Sequence, residues 1–113
     1  MLRRLLRTFK CKEPATLAAG APAPPIELPD TEGRPVAMSS LLEKGPVLAA
    51  FYKVSCPVCQ FTLPFVERIH KAYGSEHVTV VGISQDHARD TKEFRAEYGL
   101  TFPSVIDAED YPV

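Results

Sequence analysis

The 113-residue sequence has no tryptophan, only three cysteines and no excess of charge of either sign. An odd, low cysteine count argues against a secreted scaffold held by several disulfides. The 13 basic and 14 acidic residues give a net charge of -1, which indicates neither a nucleic-acid partner nor an anionic-membrane partner. No apolar run approaches the ~20 residues needed to span a bilayer. The length fits one small domain, and 45% hydrophobic with 24% charged residues is typical of a globular protein.

Composition divides the chain into two parts. Residues 1–25 form a basic segment followed by a Pro/Ala-rich linker, and residues 26–113 form the predicted domain. Arg7 and Lys10 interrupt the apolar stretch that a secretory signal needs, so the predicted compartment is the cytoplasm. A periplasmic or membrane-associated location is the alternative. A solvated N-terminus is one interpretation of residues 1–10, and an amphipathic anchor or docking helix is the other, through Leu2, Leu5, Leu6 and Phe9.

Two apolar segments frame a long helical pattern in the first half of the predicted domain. Residues 47–52 and 78–83 are unbroken apolar runs, which predict strands buried on both faces of a parallel sheet. Between them, residues 57–73 have helical periodicity, and Gly74 is placed to end that helix. The apolar stripe of this helix, which predicts its core face, is Phe61, Phe65, Ile69 and Tyr73. The pattern predicts a right-handed βαβ unit.

Weaker signals predict the remaining elements. Residues 26–28 and 36–38 read as short strands joined by a turn at residues 30–33, and Ser39 or Ser40 is expected to open a short helix. Asp90 has capping-box spacing to Glu93 and is the predicted N-cap of a helix that Gly99 ends. Residues 102–106 then form the last predicted strand.

The first apolar segment leads into Cys56-Pro57-Val58-Cys59. Because proline is favoured at the first helical position, Cys56 is the predicted N-cap, with its sulfur facing the free N–H groups of the first turn. Those donors and the positive helix end favour the thiolate, and Lys53 adds positive potential. In this interpretation Cys56 attacks a disulfide, and the more buried Cys59 resolves the mixed disulfide. Cys56 and Cys59 are the candidate catalytic residues.

Two other interpretations of the cysteine pair stay open. A zinc site needs two more ligands, and the remaining candidates are scattered without a second pair: Cys11, His70, His77 and His87. In the other interpretation, the two cysteines are inert residues buried in the core. We read the three histidines as surface or loop residues, and we predict no metal and no cofactor.

The pattern resembles the thioredoxin superfamily, and within it the redoxin or AhpC/TSA branch, especially the TlpA/ResA-like thiol-disulfide oxidoreductases. Pro64 inside the helix matches this superfamily. Three further segments match the branch: Ala23-Pro24-Pro25-Ile26-Glu27-Leu28, Val80-Val81-Gly82-Ile83-Ser84-Gln85-Asp86 and Tyr98-Gly99-Leu100-Thr101-Phe102-Pro103. The resemblance covers about residues 22–113. It implies an α/β, thioredoxin-like fold with a central mixed sheet and flanking helices.

The sequence also departs from the branch. Ser55 replaces a frequent tryptophan, Ala50 replaces a buried acid, and proline comes first between the cysteines. Lys53 and Ala49 do not fit the motif of a peroxidatic cysteine. The C-terminal hairpin and helix of the family have no counterpart before Val113, so we expect an incomplete domain whose strand at residues 47–52 has an exposed edge. That edge favours pairing, and a homo-oligomer is one consequence.

The expected function is thiol-disulfide exchange with protein or small-molecule substrates. The predicted partners are a disulfide-containing or thiol substrate and a thiol reductant. One alternative is a thiol-dependent peroxidase in which Cys56 forms a sulfenic acid. Another is a non-catalytic thioredoxin-like binding module.

Overall fold

The computed structural model describes residues 18–74 and 77–108. The predicted N-terminal amphipathic segment and Cys11 lie outside these residues. Regular structure begins at Glu27, two residues after the proposed end of the linker. The division of the chain at residues 25 and 26 stays a prediction.

Within the described residues, eight elements follow one another in the order expected of an α/β domain. They are β1 (Glu27–Pro29), β2 (Pro35–Ala37), α1 (Met38–Leu42), β3 (Val47–Tyr52), α2 (Pro57–Tyr73), β4 (Thr79–Ser84), α3 (Ala88–Tyr98) and β5 (Ser104–Ile106). The strands β3, β4 and β5 form a parallel sheet in that order, while β1 and β2 form an antiparallel hairpin. One antiparallel bridge, between Asp30 and Val105, joins the hairpin to β5. The mixed α/β architecture is the predicted one.

The sheet separates two hydrophobic clusters. On one face, α2 and α3 cover a cluster of Tyr52, Leu63, Val80, Phe94, Leu100 and Phe102. On the other face, the hairpin and α1 cover Leu28, Met38, Val81, Ile83 and Val105. Val80 enters the first cluster while Val81 and Ile83 enter the second, because successive residues of a strand point to opposite faces. The strand β4 is therefore buried on both faces as predicted.

The prediction that β3 is also buried on both faces is wrong. Leu48 is 38% exposed and Phe51 is 50% exposed. The reason is the position of the strand, because β3 pairs only with β4 among the described residues and forms an edge of the sheet. An unbroken apolar run predicts a strand but does not reveal what covers it.

The apolar stripe of α2 also differs from its prediction as a core face. Its four members are exposed: Phe61 at 74%, Phe65 at 48%, Ile69 at 39% and Tyr73 at 53%. The buried positions of the helix are instead Leu63 and Glu67. The face that α2 turns to the sheet is therefore mixed, because Leu63 packs in the core while Glu67 accepts hydrogen bonds from another segment.

Two helix starts differ from prediction and one helix end agrees. The N-cap of α3 is His87, and Asp90 lies inside the first turn, because the N–H of Thr91 already donates to the carbonyl of His87 at 3.0 Å. α1 begins at Met38 rather than at a serine, since pairing in the hairpin brings the N–H of Met38 to the carbonyl of Ile26 at 2.9 Å. Gly99 ends α3 with a φ of 64°, a left-handed conformation that favours glycine.

Candidate redox site

The two cysteines lie where β3 leads into α2. Cys56 is the N-cap, with extended backbone angles (φ -84°, ψ 116°), and Pro57 opens the helix. The carbonyl of Cys56 accepts the N–H of Gln60 at 3.0 Å, which is the first hydrogen bond of the helix. Both thiols are free and half-buried. The predicted N-cap position of Cys56 is confirmed.

The helix N-terminus and burial shift the pKa values of the two thiols in opposite directions. The backbone N–H of Cys59 lowers the pKa of Cys56 most, followed by the thiol of Cys59, and the N–H of Val58 contributes further. The sulfur of Cys56 makes no fully formed cap hydrogen bond, so these donors stabilise the thiolate electrostatically. Burial raises the pKa of Cys59, which packs against the core, although the backbone of Lys53 opposes this effect. The pKa of Cys56 is therefore lowered while that of Cys59 is raised, which makes Cys56 the more acidic of the two thiols.

The loop before Cys56 is held through the backbone of Val54. Its N–H donates to Oδ2 of Asp86 at 2.8 Å, and its carbonyl accepts Nε2 of Gln60 at 2.9 Å. Sequence reasoning assigned no role to Asp86 or Gln60. The available signal was topological, because Asp86 follows β4, and the carboxyl ends of parallel strands meet at one edge of a sheet.

A cleft of about 390 Å³ opens beside this loop. Val54 and Gln60 line one side, and the other side is formed by α3 through Asp90, Glu93, Phe94, Glu97 and Tyr98. Phe94 and Tyr98 share a helix face as predicted, and their ring centroids are 4.7 Å apart. The aromatic and acidic side chains of α3 therefore lie across this cleft from the loop that precedes Cys56.

The prediction that all three histidines are surface or loop residues is wrong for His70, which is half-buried against Phe102. His87 is the exposed N-cap of α3. The rings of His70 and His77 contact those of Phe102 and Tyr73, each at 6.2 Å between centroids. Within residues 18–74 and 77–108, no three His, Cys, Asp or Glu side chains cluster as metal ligands.

Glu67 is a buried carboxylate that sequence reasoning did not identify. It is 5% exposed and accepts hydrogen bonds from the N–H of Thr101 at 2.8 Å, the N–H of Phe102 at 3.2 Å and the hydroxyl of Thr101. Burial alone raises its pKa, but these donors outweigh burial and hold the pKa below its usual value. Glu67 therefore connects α2 by hydrogen bonds to the segment that leads into β5.

The described helices are all too short or too polar to cross a bilayer.

Comparison with known proteins agrees with this geometry. The thiol-disulfide oxidoreductase ResA of Geobacillus thermodenitrificans (strain NG80-2) is 29% identical over 99 residues, which cover 87% of this chain and 56% of that protein. The solved thioredoxin domain of a thiol-disulfide oxidoreductase from Bacteroides vulgatus has a TM-score of 0.73 and 27% identity, covering 85% of this chain and 71% of that one. The peroxidoxin BcpB of Mycobacterium tuberculosis has a TM-score of 0.74 and 29% identity, and the match covers 83% of this chain and 62% of that one.

The matches extend over most of this chain but only part of its relatives. The chain spans about half the length of the curated relatives it matches, 56% of one and 51% of another. The solved structures confirm the thioredoxin-like fold. The family model described as AhpC/TSA matches residues 19–112, and the chain therefore belongs to the AhpC/TSA family.

Proposed function

We propose that this chain carries a thiol-disulfide oxidoreductase site that exchanges disulfides with protein or small-molecule substrates through Cys56 and Cys59. The observation that supports it most is the pairing of an N-cap cysteine of lowered pKa with a half-buried partner of raised pKa. Similarity to proteins named as thiol-disulfide oxidoreductases supports the same activity.

The chemistry conserves sulfur, protons and electrons at each step. The thiolate of Cys56 attacks a substrate disulfide, forms a mixed disulfide and expels one substrate thiolate, which takes up a proton. Cys59 then loses its proton and attacks the sulfur of Cys56, which releases the second substrate thiol and leaves a Cys56–Cys59 disulfide. Two electrons have passed to the substrate, and a thiol reductant returns the pair to the dithiol.

Equilibration with a glutathione redox buffer tests this proposal. We expect wild-type protein to reach a reversible two-electron equilibrium, counted as the fraction of protein with a Cys56–Cys59 disulfide. Cys56→Ser and Cys59→Ser should both abolish that couple, and Cys11→Ser serves as the matched thiol control that leaves it intact. A dithiol that stays inert to oxidised glutathione would contradict the proposal and would instead favour a non-catalytic thioredoxin-like binding module.

Peroxidase activity is the second candidate, favoured by the similarity to a peroxidoxin. In that reaction the Cys56 thiolate attacks one oxygen of the peroxide, the O–O bond breaks, and the other oxygen leaves with a proton as water or an alcohol while Cys56 becomes a sulfenic acid. The thiol of Cys59 then attacks the sulfur of Cys56, which gives the disulfide and releases water. Lys53 and Ala49 occupy positions that differ from the motif of a peroxidatic cysteine, which places disulfide exchange first. Fast peroxide consumption by the reduced protein, together with slow exchange with oxidised glutathione, would reverse this order.

The open edge of β3 leads to a proposal about assembly. We propose that two copies pair through this edge, because Leu48 and Phe51 are exposed on a strand that has one described neighbour. Light scattering should then give twice the 12.5 kDa of one chain, and Phe51→Lys should restore one chain. A single-chain mass for the wild type at 0.1 mM would contradict pairing.

We propose the cytoplasm as the compartment, because Arg7 and Lys10 interrupt the apolar stretch within residues 1–10. Reducing compartments keep thiols as thiols, so rapid acid quenching of cells followed by alkylation should recover Cys56 and Cys59 mainly reduced. Recovery of the pair mainly as a disulfide would favour the periplasmic or membrane-associated alternative.

A further inference from the structure

We infer that Asp86 is a positioning residue for the redox site, because its carboxylate holds the loop that presents Cys56 at the start of α2. The inference rests on the proposed function for its importance, but its geometry is independent of any substrate. Asp86 lies 30 residues after Cys56 in the sequence, at the end of a different strand.

The contact between Asp86 and the loop acts on the backbone. Oδ2 of Asp86 accepts the N–H of Val54 at 2.8 Å, two residues before Cys56. The carbonyl of the same Val54 accepts Nε2 of Gln60 at 2.9 Å, from the first turn of α2. The N–H of Val54 is therefore bound by a residue that follows β4, and its carbonyl is bound by a residue of α2.

The backbone of Asp86 is held by hydrogen bonds to two buried side chains. The N–H of Asp86 donates to Oγ of Ser84 at 3.1 Å, and the hydroxyl of Thr91 donates to the carbonyl of Asp86 at 3.3 Å. The hydroxyls of Ser84 and Thr91 are hydrogen-bonded at 2.7 Å, and both residues have no exposed surface. Because the backbone of Asp86 is fixed to Ser84 of β4 and Thr91 of α3, its carboxylate reaches the loop before Cys56 from a position that these two elements define.

Position and charge predict opposite effects of Asp86 on Cys56. A carboxylate near a thiol disfavours the thiolate by repulsion between like charges. A carboxylate that keeps Cys56 at the N-cap favours the thiolate, because the N–H groups of Val58 and Cys59 act on sulfur only in that geometry. Asp86→Asn removes the charge but keeps an acceptor oxygen, so it separates the effect of charge repulsion from the effect of positioning Cys56.

The experiment measures the rate of iodoacetamide alkylation of Cys56 against pH, by mass spectrometry, in a Cys11→Ser background. Asp86→Ala should raise the apparent pKa of Cys56 by about one unit and slow alkylation about tenfold at pH values below the parent pKa, since thiolate is the reactive form. Asp86→Asn keeps an acceptor oxygen and should stay within about twofold of the parent. Asp90→Asn removes an exposed carboxylate with no bond to the loop and is the charge control. Cys59 and Lys53 stay unchanged in every variant.

Two results would overturn the inference. One is an Asp86→Ala profile that matches the parent, and the other is an Asp86→Asn profile that shifts as far as that of Asp86→Ala. If Asp86→Ala loses its circular dichroism spectrum, Gln60→Ala takes its place, because it frees the other polar group of Val54 and should slow alkylation several-fold. A parent-like profile for Gln60→Ala would then refute the positioning role.

Alkylation needs no disulfide substrate, so the two proposals fail separately. A parent protein inert to oxidised glutathione would refute the proposed function, while the alkylation series would still decide the role of Asp86. Normal exchange by the parent with no effect of Asp86→Ala would refute only the positioning role.

Discussion

Replacement of Glu67 by alanine should remove a large part of the stability of this chain. The carboxylate is buried and accepts three hydrogen bonds, two from the N–H groups of Thr101 and Phe102 and one from the hydroxyl of Thr101. Lys71 adds a longer ion pair at 3.8 Å from the surface side. Alanine offers no acceptor, so buried donors on Thr101 and Phe102 lose their partner.

The size of the effect follows from those donors. A hydrogen bond to a charged group contributes about 1.5–3 kcal/mol, and bonds that share one carboxylate add less than their sum. We expect Glu67→Ala to lower the free energy of unfolding by about 3–4 kcal/mol, against a total of about 5–15 kcal/mol for a typical domain. Glu67→Gln keeps one oxygen for the two N–H groups, and its cost should be about 1–2 kcal/mol.

The same carboxylate makes part of the stability depend on pH. Its pKa is lower in the folded state than the ordinary value of 4.5, so the folded state favours the ionised form. This contribution is complete above pH ~4.5 and is lost as the pH falls through the folded-state pKa. The difference in unfolding free energy between wild type and Glu67→Gln should therefore be constant from pH 5 to 7 and should shrink below ~4.5.

Urea denaturation followed by far-ultraviolet circular dichroism measures both effects, since the chain has no tryptophan. With a slope of about 1.5 kcal/mol per molar urea, Glu67→Ala should lower the midpoint by about 2 M. Glu93→Ala is the matched control, because Glu93 is 70% exposed and its ion pair with Arg89 contributes little. A midpoint for Glu67→Ala within 0.3 M of that control would refute the reasoning.

Three further substitutions, two in the core and one at the exposed end of α3, are tested by thermal or urea unfolding. Gly82→Ala should cost about 2–3 kcal/mol, because its Cβ would lie 2.6 Å from Oγ of Ser104 and 2.8 Å from ring atoms of Phe102 and Tyr52; a wild-type midpoint would contradict this packing. Gly99→Ala should cost only about 1 kcal/mol, since nothing lies within 4 Å of the new Cβ and the φ of 64° is the sole source of strain; a cost equal to that of Gly82→Ala would be inconsistent with this account. Tyr52→Phe removes a buried hydrogen bond of 3.0 Å to Ser104 and should cost about 1 kcal/mol, and an unchanged midpoint would show that the bond contributes nothing.

Local signals were sufficient to predict the junction that carries the dithiol. Pro57 defined the start of α2, and the apolar run before Cys56 defined β3, because each signal acts within a few residues of the feature it predicts. Gly99 ended α3 for the same reason. The strand–helix–strand order and the N-cap position of Cys56 follow from such signals.

Contacts between distant segments were not predictable in this way. Glu67 reads as a surface residue because carboxylates are rarely buried, and its partner Thr101 is 34 residues away. Asp90 has the spacing of a capping box, but the N-cap of α3 is His87, three residues earlier, and the side chain of Thr91 is bound to Ser84 of β4. The stripe through Phe61 and Phe65 shows that periodicity locates an apolar face without identifying what covers it.

Trapping of the mixed disulfide tests the central claim about the dithiol most directly. Reduced Cys59→Ser, Cys56→Ser and wild-type proteins are mixed with oxidised glutathione at pH 7 and analysed by mass spectrometry of their peptides. We predict that Cys59→Ser accumulates one glutathione on Cys56, that Cys56→Ser reacts far more slowly at Cys59, and that the wild type passes to the internal disulfide. Equal rates of glutathione addition at Cys56 and Cys59 in the single-cysteine variants would contradict the assignment of Cys56 as the nucleophile.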